Sequence, residues 1–366
     1  MGLLYDGVAI GMWAYGQAAF RVTALGPRRF RFTPGTLVLV THRAETDVPL
    51  VCPPLYLRAG LWHRRSPLER MAFAARDDMF LTGFLAGFAP GLSPAARARL
   101  FPFGVGRWLP VVQVHPLRSA SVARLGEALR LRRDEPLDAV LRGGEADAFR
   151  ARAARCGLDE PVRVADAFRG EYADLLWRPV EPGHPATDGL DGFWAGRAAQ
   201  AASDFRRLVE LLRAGGTLVV FPEGRPSADG AIGPIQRGLA GLVRRGAPKE
   251  VRPVALAYDP LGRGRPRVTI AIGDAAPAPR EAVEATTLAL LRRTMPLTAG
   301  QIVAAGVDPD DAIAEAHSAG RPVDPELLDA RRRAPRLAEA AEAVSRKPGA
   351  VAFVAREFAS AREAGG

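Results

Sequence analysis

Short apolar runs alternate with helical patterns along the middle of the chain. Residues 37–40 are all apolar and follow the turn residues Pro34 and Gly35, which predicts a buried strand. Residues 201–213 have apolar positions at helical spacing, and two glycines follow them. Further strands are predicted at 217–221, 251–258 and 267–272, with a helix starting near 239. Helices that alternate with buried strands predict an α/β fold, a sheet flanked by helices.

Other stretches have weaker patterns. Residues 47–100 are predicted to be mostly helical with proline breaks, 111–114 to form a second strand, and 120–133 to form a helix. Residues from about 134 to 199 hold many Pro, Gly and charged residues without a clear period, which indicates an insertion. Beyond about residue 276 the pattern is helical and Ala-rich. We therefore predict a main domain at 1–275 and a helical C-terminal appendage at 276–366.

The N-terminal segment, residues 1–26, has two interpretations. Residues 7–20 carry no charge, but fourteen residues are too short to span a bilayer as a helix. Trp13 and Tyr15 suit a membrane–water interface, which favours an interfacial helix. A helix packed on the domain core fits the same pattern. The segment lacks the basic opening of a secretory signal.

Composition indicates a globular protein with a large core. The chain has 366 residues, 48% of them apolar and 25% charged. Its net charge of +10 comes almost wholly from arginine, since lysine occurs only at Lys249 and Lys347. Coding bias or an anionic partner, such as a phosphate substrate or an acidic lipid surface, would explain that charge. Cys52 and Cys156 predict neither a disulfide framework nor a zinc site, and a cytoplasmic location fits best.

The first candidate for chemistry is the pair His42 and Asp47, directly after the strand at 37–40. On one regular helix, residues five apart point about 140° away from each other. The two side chains meet if His42 lies in the turn and Asp47 in the first helical turn. The carboxylate then fixes the imidazole tautomer and leaves the other ring nitrogen as a base. The alternative is a structural histidine, because a lone His-x4-Asp pair often arises by chance.

A second candidate follows the strand at 217–221. Glu223, Gly224 and Arg225 come directly after it, and in open α/β sheets ligands bind beyond the carboxyl ends of the strands. Gly224 allows close approach of backbone to a ligand, and Arg225 offers a planar fork for a phosphate. An ordinary surface turn with an ion pair is the alternative.

Together these residues resemble the glycerolipid acyltransferase family, whose best-known members are the 1-acylglycerol-3-phosphate acyltransferases. Four sequence blocks occur in the family's order between residues 41 and 272. They are His42 with Asp47; Phe101-Pro102-Phe103-Gly104 followed by Arg118; Phe221-Pro222-Glu223-Gly224; and Val251-Arg252-Pro253-Val254. The chain departs from the family pattern at Thr41, where Asn is usual, at Arg225-Pro226-Ser227, and in its long gap between the second and third blocks.

The resemblance implies a membrane-peripheral enzyme on the inner face of the cell membrane. His42 would act as general base on a hydroxyl of a lysophospholipid such as 1-acylglycerol-3-phosphate, and Asp47 would orient the imidazole. The hydroxyl would attack the thioester of acyl-CoA or acyl carrier protein, a co-substrate, so no cofactor is expected. The residues implied to bind the acceptor's phosphate and glycerol groups are Arg118, Glu223, Gly224 and Arg225.

Other functional classes find less support in the sequence. There is no G-x-S-x-G elbow of a serine hydrolase, no Walker loop, and the histidines are too scattered to predict a metal site. The basic stretch at 262–267 resembles the short segment with which some chromatin proteins bind the DNA minor groove. It lies between two predicted strands, however, which favours a hairpin loop. We therefore expect no nucleic-acid partner. A catalytically inactive relative that binds lipid or protein is the remaining alternative.

Overall fold

The structure is a computed structural model that describes residues 2–62, 66–88 and 92–363. Its strands, in chain order, are β1 (Arg21–Leu25), β2 (Thr36–Val40), β3 (Met71–Arg76), β4 (Val114–Leu117), β5 (Ala123–Arg124), β6 (Pro179–Val180), β7 (Thr217–Val220), β8 (Glu250–Asp259), β9 (Arg267–Ile272) and β10 (Ala276–Pro277). Its α-helices are α1 (Gly2–Ala19), α2 (Asp47–Arg58), α3 (Phe84–Phe88), α4 (Pro94–Leu100), α5 (Leu125–Leu129), α6 (Leu137–Val140), α7 (Gly144–Cys156), α8 (Ala173–Leu176), α9 (Phe193–Arg213), α10 (Gly238–Gly246), α11 (Val283–Thr294), α12 (Ala299–Ala305), α13 (Pro309–Ser318), α14 (Pro325–Leu328), α15 (Ala330–Val344) and α16 (Pro348–Arg362).

The chain divides into two compact units. The first comprises the described residues of Met1–Phe73 and Leu208–Gly366, and the second is Ala74–Arg207. The stretch predicted as an insertion, 134–199, lies inside the second unit. The described part of 276–366 is largely helical, as expected, and belongs to the first unit. The domain boundary at about 275 stays a prediction from the sequence.

A central sheet organises the first unit, and its strands run in the order β1-β9-β8-β2-β7-β3. β2 pairs in parallel with both β7 and β8, and β1–β9 and β3–β7 are also parallel. Among the described strand pairs of this sheet in the first unit, β8–β9 and β10–β8 are antiparallel. The predicted α/β sheet flanked by helices is therefore confirmed.

The sheet's core explains the continuous apolar runs in the sequence. Every residue of β2 and β7 is buried, and parallel strands covered on both faces need apolar side chains on both. The amphipathic helix α9 contributes buried Leu208 and Leu212, and the glycines at 215 and 216 separate it from β7. Together these elements fix the carboxyl ends of β2 and β7 at one edge.

The longer strands that the sequence patterns missed are β1 and β3. β1 lies inside the N-terminal segment considered as an interfacial helix, and β3 lies inside the stretch predicted to be mostly helical. β3 has the sequence Met-Ala-Phe-Ala-Ala-Arg, which contains three alanines and no strong β-former pattern. Its pairing with the buried strand β7 decides its conformation.

The second unit has an apolar core of its own. Buried Leu125, Leu129, Leu137, Phe149 and Tyr172 belong to one cluster within it, so the stretch without a sequence period is nevertheless packed.

The sequence prediction of a strand at 111–114 was wrong. Residues Leu109–Val112 form a 3₁₀ turn, Gln113 has φ +62°, and β4 begins only at Val114. The helix predicted at 120–133 is reduced to α5 and a following 3₁₀ turn, because β5 occupies residues 123 and 124.

Helix α1 presents opposite surfaces to the protein and to solvent. Tyr5, Asp6 and Ala9 are buried, whereas large apolar side chains on the remaining surface are exposed: Leu3, Leu4, Ile10, Trp13 and Tyr15. Across residues 2–62, 66–88 and 92–363, no helix combines the length and apolar character needed to cross a bilayer.

Candidate active site

Parallel pairing of β2 with β7 brings the first and third sequence blocks together. Leu39 is opposite Val220 in the register, and His42 and Glu223 each lie three residues further along their chains. The His42 backbone N–H donates to Oε1 of Glu223 over 2.8 Å. Two segments that are 181 residues apart in sequence thus meet at the carboxyl edge of the sheet.

His42 and Asp47 adopt the arrangement expected from their spacing. Asp47 is the first residue of α2, and His42 lies in the turn that follows β2. Nδ1 of His42 is 2.9 Å from Oδ2 of Asp47. The ring packs against Phe221, with centroids 4.6 Å apart, and its Nε2 makes no hydrogen bond within the described chain. An ionised Asp47 holds the proton on Nδ1, so Nε2 is left as the basic nitrogen.

The Asp47 carboxylate is buried among hydrogen-bond donors. Besides His42, its Oδ2 accepts the backbone N–H groups of Arg43 (2.6 Å) and Ala44 (3.0 Å). Its Oδ1 accepts the hydroxyl of Tyr258 over 2.7 Å. These donors hold the carboxylate beside the imidazole, where a carboxylate stabilises the imidazolium of a general base.

Tyr258 is a site residue that the sequence patterns did not single out. Burial, reinforced by the charge of Asp47, raises the pKa of Tyr258 well above its usual range, so its hydroxyl stays protonated. Its place at the carboxyl end of the predicted strand 251–258 is the one sequence signal that points to it.

Glu223 joins two backbone segments of the site. Its Oε1 accepts from His42, and its Oε2 accepts the N–H of Gly233 over 2.7 Å. Burial raises the pKa of Glu223, while nearby Arg43 and the two N–H donors act in the opposite direction. Glu223 was expected to contact substrate. In the structure its two carboxylate oxygens accept the backbone N–H groups of His42 and Gly233, and its contact with substrate stays a prediction.

Gly224 allows the turn that follows Glu223. Its φ is +73°, and a Cβ there would lie 3.0 Å from Cγ of Gln236. Gln236 in turn donates from Nε2 to the carbonyl of Glu223 over 3.1 Å. Any larger residue at 224 would strain the backbone and push Gln236 away.

The two arginines expected to bind the acceptor have different surroundings. Arg225 is exposed and forms no ion pair or side-chain hydrogen bond with the described residues. Ser227, two residues after Arg225, donates its N–H to the carbonyl of His42 over 2.9 Å. This hydrogen bond places the turn that carries Arg225 beside the histidine. Arg118 belongs to the second unit, where its guanidinium is 2.9 Å from Asp204 and 3.9 Å from Asp77.

Thr41, the departure from the family's usual Asn, has a structural role here. It is fully buried, and its Oγ1 accepts the N–H of Leu256 over 3.0 Å. Its own N–H donates to the carbonyl of Val254 over 3.0 Å. The residue therefore extends the connection between β2 and β8 up to His42.

Arg43 connects the same turn to the C-terminal helices. Its side chain is buried and donates from one terminal nitrogen to the carbonyls of Gly230 (2.9 Å) and Ala231 (2.8 Å). Its Nε lies 3.6 Å from Oε1 of Glu357 on α16. Sequence reasoning missed this pair because the two residues lie 314 positions apart and the C-terminal region showed no recognisable chemistry.

Glu357 is fully buried, and burial raises its pKa to about 7. Its Oε2 accepts from Nε2 of Gln301 over 2.8 Å. Helix α16 thus reaches the turn that carries His42.

The arrangement supports general-base chemistry at Nε2 of His42. A hydroxyl group placed there can give up its proton to the imidazole, and Asp47 stabilises the imidazolium that forms. In the part of the chain that the structure describes, no group of three or more His, Cys, Asp or Glu side chains is placed to hold a metal ion.

Comparison with known protein families matches one segment of the chain. Residues 184–259 match the Acyltransferase family, a segment that contains β7, Glu223, Gly224, Arg225 and Tyr258 but neither His42 nor Asp47. No curated protein matches the chain. Residues 184–259 therefore resemble an Acyltransferase family domain, which supports an acyltransferase function.

Proposed function

We propose that this acyltransferase is membrane-peripheral and moves a fatty acyl group from acyl-CoA or acyl carrier protein to a hydroxyl of a lysophospholipid such as 1-acylglycerol-3-phosphate. The observation that carries the proposal is the contact of His42 Nδ1 with buried Asp47 over 2.9 Å, beside the block that matches the family. This contact leaves Nε2 as a base at the carboxyl edge of the sheet.

The reaction needs one proton acceptor and no covalent acyl-enzyme. The acceptor hydroxyl gives its proton to Nε2 of His42 as its oxygen bonds to the thioester carbonyl carbon. The tetrahedral intermediate then collapses, the carbon–sulfur bond breaks, and the thiolate takes the proton from the imidazolium. Asp47 stabilises that imidazolium throughout. General-base catalysis of this kind contributes about 10²–10⁴-fold.

The residues around the pair have separate tasks in this proposal. Glu223 and Gly224 shape and hold the turn that carries His42, as their contacts suggest. Arg225, exposed and without a carboxylate partner among the described residues, binds the acceptor's phosphate. Arg118, also expected to bind the acceptor, is paired with Asp204 in the structure.

A membrane lipid surface is supported as a partner by helix α1. Its exposed apolar face includes Trp13 and Tyr15, and no charge interrupts residues 7–20. Phe20, just beyond the helix, contacts the ring of Tyr258 edge-on, with centroids 6.1 Å apart. Tyr258 donates a hydrogen bond to Asp47, so the residue that follows the apolar helix contacts a side chain that holds the proposed catalytic pair. These contacts support a membrane surface as partner, and we propose the inner face of the cell membrane because the family resemblance implies it.

The test uses labelled acyl-CoA and acyl carrier protein with a panel of lysophospholipids and vesicles. His42→Ala should lower turnover by about 10²–10⁴-fold. His317→Ala, which changes an exposed histidine on α13, is the matched control and should keep wild-type turnover. Equal rates for His42→Ala and wild type would refute the mechanism. Vesicle binding without turnover of any acceptor would favour the inactive lipid-binding alternative.

A further inference from the structure

A cavity of about 1000 Å³ lies among helices α11, α13 and α16 in the first unit. Its lining combines alanines and Leu290 with the charged side chains of Arg293, Glu315, Arg321 and Arg362. Cavities of this volume are at the upper end of the range that small-molecule sites occupy. None of the expected site residues lines it.

The carboxylates of the lining already have partners. Glu315 is 2.6 Å from Nε of Arg362, and Glu363 is 2.6 Å from a terminal nitrogen of Arg292. Arg293 and Arg321 have no carboxylate within 4.0 Å among the described residues. The lining therefore carries two guanidinium groups without an ion-pair partner in the described part of the chain, although the charges of Glu315 and Glu357 act on Arg321 from a distance.

Both arginines line the cavity beside the turn that follows α13. A Cβ built on Gly320, which has φ +65°, would lie 3.2 Å from a terminal nitrogen of Arg293. Arg321 is the next residue along the chain. Arg293 of α11 thus lies beside Gly320, the residue that precedes Arg321, and both arginines face the same cavity.

Arg321 is also incompletely hydrogen-bonded. Its side chain is more than nine-tenths buried, and its Nε donates to the carbonyl of Met295 over 3.2 Å. One terminal nitrogen, NH2, is buried and has no hydrogen-bond partner. Leaving a buried charged donor unsatisfied is costly, and such groups in proteins normally bind a carboxylate, a phosphate or another acceptor.

We propose that this cavity binds a phosphate-bearing amphiphile. Arg321 and Arg293 would bind a dianionic phosphate. Its two negative charges neutralise both guanidinium groups, whereas a carboxylate would neutralise only one. Guanidinium groups suit phosphate because they donate two parallel N–H bonds. Leu290 and the alanines would contact the apolar part of the ligand. The shared chemistry fits two sources, an acidic membrane lipid and a soluble phosphate ester.

The experiment measures binding by the full chain, without an acyl donor, so it does not depend on the proposed catalysis. The probes are inorganic phosphate, monododecyl phosphate, and phosphatidylcholine vesicles with and without phosphatidic acid. Arg321→Gln and Arg293→Gln should each weaken binding by about tenfold or more, since a hydrogen bond to a charged group contributes about 1.5–3 kcal/mol. Arg356→Gln, on α16 but outside the cavity lining, is the control and should bind like wild type.

Arg293 is exposed, so its variant tests the site even if Arg321→Gln does not fold. Tighter binding of vesicles with phosphatidic acid than of monododecyl phosphate would identify a lipid headgroup, and the reverse order a soluble ester. Unchanged binding by Arg293→Gln would overturn the proposal. Equal affinity for inorganic and dodecyl phosphate would also overturn it, because the apolar lining would then contribute nothing.

Discussion

The hydroxyl of Tyr258 offers a sharp test of how the site is held. It donates to Oδ1 of the fully buried Asp47 over 2.7 Å. Tyr258→Phe keeps the ring and its contact with Phe20 but leaves that carboxylate oxygen without its donor. A hydrogen bond to a charged group contributes about 1.5–3 kcal/mol. If the transition state loses this full amount, kcat falls by about tenfold to a hundredfold.

The assay compares kcat and KM of acyl transfer for the variant and wild type with one acceptor at several pH values. We expect kcat to fall and KM to stay unchanged, because Tyr258 contacts Asp47 and not the substrate in this proposal. Tyr5→Phe is the matched control. It removes another buried tyrosine hydroxyl, which donates to the carbonyl of Met71 over 3.0 Å, and leaves Asp47 untouched. It should reduce thermal stability and leave kcat unchanged.

Two results would refute this reasoning. An unchanged kcat in Tyr258→Phe would mean that Asp47 does not need the Tyr258 hydroxyl for catalysis. An equal fall in kcat for both variants would show general destabilisation instead of a specific effect on the catalytic pair.

Three further predictions concern single side chains. Asp47→Asn should lower kcat by about 10²–10⁴-fold because the His42 tautomer is no longer fixed; wild-type kcat in a folded variant would contradict this. Burial raises the pKa of Glu357 from 4.5 to about 7, so the native state holds the proton that the unfolded chain releases, and stability falls as pH rises between these values. At about 1.4 kcal/mol per pH unit, the free energy of unfolding falls by about 3 kcal/mol over this range. Urea unfolding from pH 4.5 to 8 should show a weaker pH dependence of this free energy in Glu357→Gln than in wild type. An unchanged pH dependence would exclude Glu357 as its source. Gly224→Ala should lower the free energy of unfolding by about 1–3 kcal/mol because φ is +73°; an unchanged melting temperature would show that the turn adapts.

Much of the site's local geometry could be predicted from the sequence. The apolar run before His42 predicts β2, and the five-residue spacing allows Asp47 to begin a helix and still reach the imidazole. The block around Glu223 was found in the same way, because it directly follows an apolar strand. Each of these inferences depends on neighbours within a few residues, where periodicity and turn chemistry act.

Other parts of the site depend on contacts between distant segments. Tyr258 reaches Asp47 across 211 positions, and Glu223 holds the backbone of His42 across 181. β3 is a strand because β7 is beside it, although its own alanines favour no such pairing.

The sequence by itself predicted the strands β2 and β7, the contact between His42 and Asp47, and the resemblance to the acyltransferase family. Only the tertiary structure decided that Glu223 holds backbone, that Tyr258 completes the environment of Asp47, and that Glu357 on α16 reaches Arg43. The physical reason is that short-range patterns fix local conformation. The burial and pairing of charges depend on which strands and helices become neighbours when the sheet forms.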